Sequence, residues 1–110
     1  MTTITTSTIT SLASYAAALL DEAAVDRMVA TVTAHSGRLL DNRQAAELVS
    51  DLLFPVSHRT VESWSDLRAR SFVVNRKRMQ RPEDVVEAAL HRIEAGWEKR
   101  DAFNGAAAAA

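Results

Sequence analysis

Pro55 divides the strongest helical signals of the chain into two short segments and prevents them from forming one helix. Proline fixes φ, lacks an amide proton and drives the preceding residue, here Phe54, out of the helical region. Before the break, Leu40-Asp41-Asn42-Arg43-Gln44-Ala45-Ala46-Glu47-Leu48-Val49 pairs Asp41 with Gln44 as a capping box and repeats Ala45, Leu48 and Val49 at helical spacing. After it, Ser57 can accept a hydrogen bond from the amide of Thr60, and Val56 can staple inward. Val61 and Trp64 then share one face, while His58, Arg59, Glu62 and Ser63 occupy the polar side. The expectation is two facing short helices with Trp64 in the core and a polar face free for a partner. Between them, either the first helix gains a turn to Leu53 or a wider turn is filled by Leu53 and Phe54.

Downstream, Phe72 to Val74 reads as a strand and Arg78 to Gln80 as its return. The tip, Asn75-Arg76-Lys77, carries arginine where glycine would ease a positive φ, so a longer or slightly strained turn is expected. Pro82 suits the first position of a closing helix, with Glu83 and Asp84 at the positive end of its dipole. Val86, Ala89, Leu90, Ile93 and Trp97 form its apolar stripe. The opposite stripe of Asp84, Glu87, His91 and Glu94 resembles a metal-ligand set but reads as a solvated face, and no metal or other cofactor is expected.

In their order, these segments resemble the winged helix-turn-helix of the excisionase and MerR-like DNA-binding family. Its pattern R-x-A-A-E-L-[LV], V-S-x-R-T-V-x-x-W, basic hairpin and P-E-D-V helix runs through residues 39–95 here. The connection Ser50 to Pro55 departs from the Gly-containing turn usual in the family. The resemblance implies a mainly α fold, a winged helix-turn-helix with a small β-hairpin wing, to which an N-terminal helical region is added. It also implies sequence-specific binding of double-stranded DNA through Ser57, His58, Arg59, Thr60, Glu62 and Ser63, with Arg76, Lys77 and Arg78 on the wing. The role is then that of an excisionase-like recombination directionality factor beside an integrase, or of a small transcriptional regulator beside the transcription machinery.

Charge distribution agrees with a nucleic-acid partner. The 110-residue chain has a net charge of −1, but residues 56–81 carry +5 and the flanks −3 each. Residues 1–10, β-branched and polar, read as a disordered arm. Residues 11–36 read as a helical extension, broken near Asp21 and stopped by Gly37, that either enlarges the core or forms a dimer surface. Residues 37–100 make the DNA-binding domain, and 101–110 a flexible tail. The absence of cysteine, of a roughly 20-residue apolar span and of a basic leader gives the expectation of a soluble cytoplasmic protein without a membrane partner. His35, His58 and His91 lie on different segments, and no phosphate loop or nucleophile motif occurs, so no enzyme is expected. The reading from another class is a protein-interaction adaptor that keeps the fold and docks through its N-terminal helix.

Overall fold

The computed structural model describes the backbone of residues 3–109 and the side chains of residues 8–96. Its elements are α1 (Thr3–Ala17), α2 (Glu22–Ala34), α3 (Asn42–Leu52), α4 (His58–Glu62), α5 (Ser65–Ala69), β1 (Phe72–Val74), β2 (Lys77–Met79) and α6 (Pro82–Ala109). The fold is mainly helical, with one antiparallel hairpin. No helix of the described residues is long and apolar enough to cross a membrane.

Local caps set the helix starts. Asp21 accepts from Ala24 N–H at 2.8 Å, and Asp41 and Gln44 close both bonds of the capping box, at 2.8 and 3.0 Å. After α2, Gly37 takes φ +83°, a conformation that costs glycine little. α3 gains the extra turn, running to Leu52 with Leu53 as its C-cap, and half-buried Leu53 and Phe54 fill the connection to α4. Ser50 holds this connection: its hydroxyl donates to the carbonyl of Val56 and accepts from the amide of Val56, both at 3.1 Å.

One apolar cluster joins the helices. Leu12, Ala16 and Leu19 from α1 and its following turn meet Met28 and Val32 of α2, Ala45, Leu48 and Val49 of α3, and Val85, Val86, Ala89 and Leu90 of α6. The apolar stripe of residues 11–36 is thus used inside the chain, which is the core-enlarging alternative. The disordered arm expected at 1–10 differs from the structure, where helical backbone starts at Thr3 and half-buried Ile9 packs on the core. A segment without glycine or proline simply continues the helix that Leu12 and Ala16 anchor. The tail expected at 101–110 is likewise helical in backbone to Ala109, an alanine-rich continuation of α6. The side chains of residues 1–7 and 97–110 lie outside the described residues, and with them the expected packing of Trp97.

A second difference concerns Trp64. The helix begun at Ser57 does not run through it: α4 ends at Glu62, and Trp64 has φ −74° and ψ 106° before α5 begins. Ser63 Oγ donates to the carbonyl of Thr60 at 2.6 Å, closing α4, while Trp64 C=O accepts from Arg68 N–H at 3.0 Å and starts α5. The indole is buried, 6.3 Å from the Phe54 ring and under the Arg92 guanidinium at 4.7 Å.

The carboxylate stripe of α6 is a set of tethers rather than a solvated face. Arg70 bonds Glu87 at 2.6 Å and reaches Asp84 at 3.5 Å, Tyr15 donates to Glu94, and His91 and Arg92 approach Asp66 Oδ2 at 2.8 and 2.7 Å. These pairs fasten α1, α5 and the loop before β1 to α6.

Two predictions follow from this packing. Trp64→Ala leaves a large hole and unpairs the Arg92 face, so thermal or urea unfolding should show a loss of roughly 3–5 kcal/mol. An unchanged midpoint would contradict the core role. The second concerns acid. Partial burial disfavours the Asp66 charge, but hydrogen bonds from Arg92 and His91 outweigh it and hold the pKa at about 2 rather than 3.8. A depressed folded value means stabilisation that is complete above about pH 4 and disappears as pH falls towards about 2. With the carboxylate about a third exposed, screening reduces the effect to about 1 kcal/mol. Asp66→Asn should lower the midpoint at neutral pH and flatten its decline between pH 4 and 2; parallel curves for both proteins would refute this.

Candidate nucleic-acid interface

The candidate residues lie on two elements, α4 and the hairpin, held at opposite ends of eleven-residue α3, a helix about 16 Å long at a rise of 1.5 Å per residue. Its C-terminal end holds α4 through the Ser50 bonds to Val56. Its N-terminal end holds the hairpin, because Lys77 Nζ lies 3.5 Å from Asp41 Oδ2 and Leu40 pairs with Gln80 through N–H to O bonds of 2.7 and 2.8 Å.

At the first end Ser57, His58, Arg59, Thr60, Glu62 and Ser63 are all exposed. Three of them are engaged locally. Ser57 Oγ accepts from Thr60 N–H at 3.3 Å and lies 3.1 Å from Thr60 Oγ1, and Ser63 Oγ is tied back to Thr60. The side chains of His58, Arg59 and Glu62 have no polar partner among the described residues and face solvent together.

The three hairpin cations, equivalent in the sequence, are not equivalent in space. Strands β1 and β2 pair Phe72 with Met79, Val73 with Arg78 and Val74 with Lys77 around a two-residue turn. Asn75 and Arg76 there have φ of 51° and 65°. This is the left-handed pair of a tight hairpin, so the turn is short and strained at Arg76, not longer. Arg78 is half-buried and donates to Ser71 Oγ at 2.7 Å. Lys77 faces Asp41, whose carboxyl is held below its usual range by the Gln44 amide and, against some burial, by the Lys77 charge. Arg76 alone of the three has no ion pair or side-chain bond among the described residues.

An open cleft of about 460 Å³ separates the start of α3 from β2, lined by Asp41, Asn42, Arg43, Lys77 and Arg78. Arg43 is exposed beside the hairpin cations and belongs to the same basic surface. Sequence reasoning passed over it, although its outward position in the first turn of a capped helix is the signal that singled out Arg59. Gln80, 1% exposed, links the two walls of the cleft by donating from Nε2 to Asn42 Oδ1 at 2.7 Å.

Cations, hydroxyls and one imidazole on convex helix and hairpin surfaces can hold an extended anion. Among the described residues no group of three or more side chains is arranged to hold a metal ion. No family model, curated protein or solved structure matches this chain.

The turn gives a prediction of its own. A non-glycine residue in the left-handed region costs roughly 1–2 kcal/mol, so Arg76→Gly should stabilise the hairpin by about 1 kcal/mol and raise the thermal midpoint. A lowered midpoint would mean that the arginine side chain holds the turn in place.

Proposed function

We propose that the chain is a sequence-specific double-stranded DNA-binding protein of winged helix-turn-helix type, with α4 entering the major groove and the hairpin acting as its wing on the adjacent backbone. One observation carries this reading: His58, Arg59 and Glu62, without a polar side-chain partner among the described residues, sit at one end of α3, and Arg43, Lys77 and Arg76 at the other. A helix for the roughly 12 Å major groove and a basic hairpin for the phosphates that bound it are the two parts such a contact with a duplex uses. The +5 charge of residues 56–81 within an otherwise acidic chain supports it, as does the ordered resemblance to excisionases and MerR-like proteins. In this reading Arg59 reads a base edge, Ser57, Thr60 and Ser63 position the helix on phosphate, and Arg76 and Arg43 hold the backbone. The biological role is recombination directionality beside an integrase or regulation of transcription.

The adaptor reading loses its first motive, because the apolar faces of α1 and α2 are buried. Exposed Phe72, Val73 and Val74 favour a protein contact at the hairpin instead.

Reading and holding fail differently, which makes both testable. Arg59→Ala should cost about 1–3 kcal/mol on a preferred duplex and far less on random DNA. Arg76→Ala should weaken every sequence alike and reduce the slope of log K against log salt by about one. Lys77→Ala should do less than Arg76→Ala, since Asp41 already neutralises part of that charge. Band shifts of the variants on specific and random duplexes across a salt series make the comparison. If the unsubstituted chain shifted no duplex at low salt, DNA binding would be excluded.

A further inference from the structure

Glu62 is the one carboxylate of α4, and it is exposed. Its nearest cations leave it alone. Arg59, three residues earlier and so on the same helical face, makes no ion pair with it among the described residues, and Arg68 Nη2 donates instead to the backbone carbonyl of Glu62, at 3.2 Å. Asp66, four residues on, is by contrast held by Arg92 at 2.7 Å. Arg59 and Glu62 thus stand one turn apart on the exposed face of α4, one side chain that only donates and one that only accepts.

On a helix set against DNA, a free carboxylate repels phosphates and weakens binding to every sequence unless the groove donates a hydrogen bond to it. The major-groove edge has two such donors, the N4 amino group of cytosine and the N6 amino group of adenine, while guanine and thymine present acceptors. These two donors differ in their surroundings. Adenine carries the acceptor N7 beside its amino group, which a carboxylate opposes, whereas cytosine shows its amino group alone. The guanidinium of Arg59 has the converse preference, for the paired acceptors N7 and O6 of guanine.

On the DNA-binding reading above, on which this rests, we propose that Glu62 sets specificity for a cytosine within one base pair of the guanine that Arg59 takes. Three residues of α-helix rise about 4.5 Å, against about 3.4 Å per base pair, so with α4 along the groove the two side chains reach the same pair or its neighbour. The hydroxyls of the same face do not make this choice. A hydroxyl both donates and accepts and so serves any base, and those of Ser57, Thr60 and Ser63 are engaged with one another or with the Thr60 carbonyl. Glu62 acts as much by exclusion as by attraction: opposite guanine or thymine its carboxylate meets only acceptors, and on random DNA it has no fixed donor.

Duplexes selected from a random pool by the full chain should share a guanine with a cytosine at most one base pair away. Replacing that cytosine by N4-methylcytosine, whose methyl group takes the place of the N–H facing the major groove, should weaken binding about tenfold. Glu62→Ala should bind the selected duplex more weakly, bind random duplex more tightly and be indifferent to the N4-methyl group, with an unchanged thermal midpoint because the side chain is exposed. Glu62→Gln, whose amide both donates and accepts, should move the preference at that position from cytosine to adenine. Selected duplexes without the neighbouring cytosine overturn the proposal while DNA binding stands. So does an N4-methyl loss as large in Glu62→Ala as in the unsubstituted chain. If no duplex is bound at low salt, the DNA-binding reading and the role of Glu62 fall together.

Discussion

Burial of Trp64 is the interaction on which the arrangement around α4 depends. Its indole lies between the Phe54 ring of the α3–α4 turn and the guanidinium of Arg92 on α6. Arg92 also bonds Asp66 in the first turn of α5, so one cation fixes both the aromatic anchor and the next helix. At Trp64 the backbone leaves the helical region, α4 ends after five residues, and the indole is buried while the polar side chains of α4 stay exposed.

What was legible in the sequence was local. The caps at Asp21, Asp41 and Ser57 and the break at Pro55 each depend on residues within about four positions, where backbone stereochemistry leaves few alternatives. The inward sense of Trp64 followed from its spacing to Val61. The end of α4 did not: the Ser63 hydroxyl bonds the Thr60 carbonyl, and the partners of the indole, Phe54 and Arg92, lie on other elements. The stripe Asp84, Glu87, His91 and Glu94 looked solvated for the same reason. Its partners Arg70, Asp66 and Tyr15 lie 14, 25 and 79 residues away in the chain, and no periodicity reveals them.

The candidate interface divides along the same line. That Ser57 to Ser63 face outward was readable from helical spacing. Which hairpin cations are free was not, since composition counts Arg76, Lys77 and Arg78 alike while the fold gives Asp41 to one and Ser71 to another. Arg43 enters the surface only because the Leu40–Gln80 bridge brings the hairpin to the first turn of α3.

Asp41 then has two roles that oppose each other in any anion-binding function. As the cap it must remain ionised or strongly accepting to satisfy the Gln44 amide, and its lowered pKa keeps it charged. As the neighbour of Lys77 it reduces the positive potential of the cleft. The fold retains both because the same carboxylate anchors β2 to α3 and fixes where the hairpin points. Orientation of the hairpin is thus obtained at some loss of local positive charge. Arg76 at the tip and Arg43 across the cleft restore it from positions where no carboxylate among the described residues is paired with them. The strained left-handed φ of Arg76 has a physical rationale in that balance: glycine would suit the turn better, but it would remove the hairpin cation that no other side chain among the described residues holds.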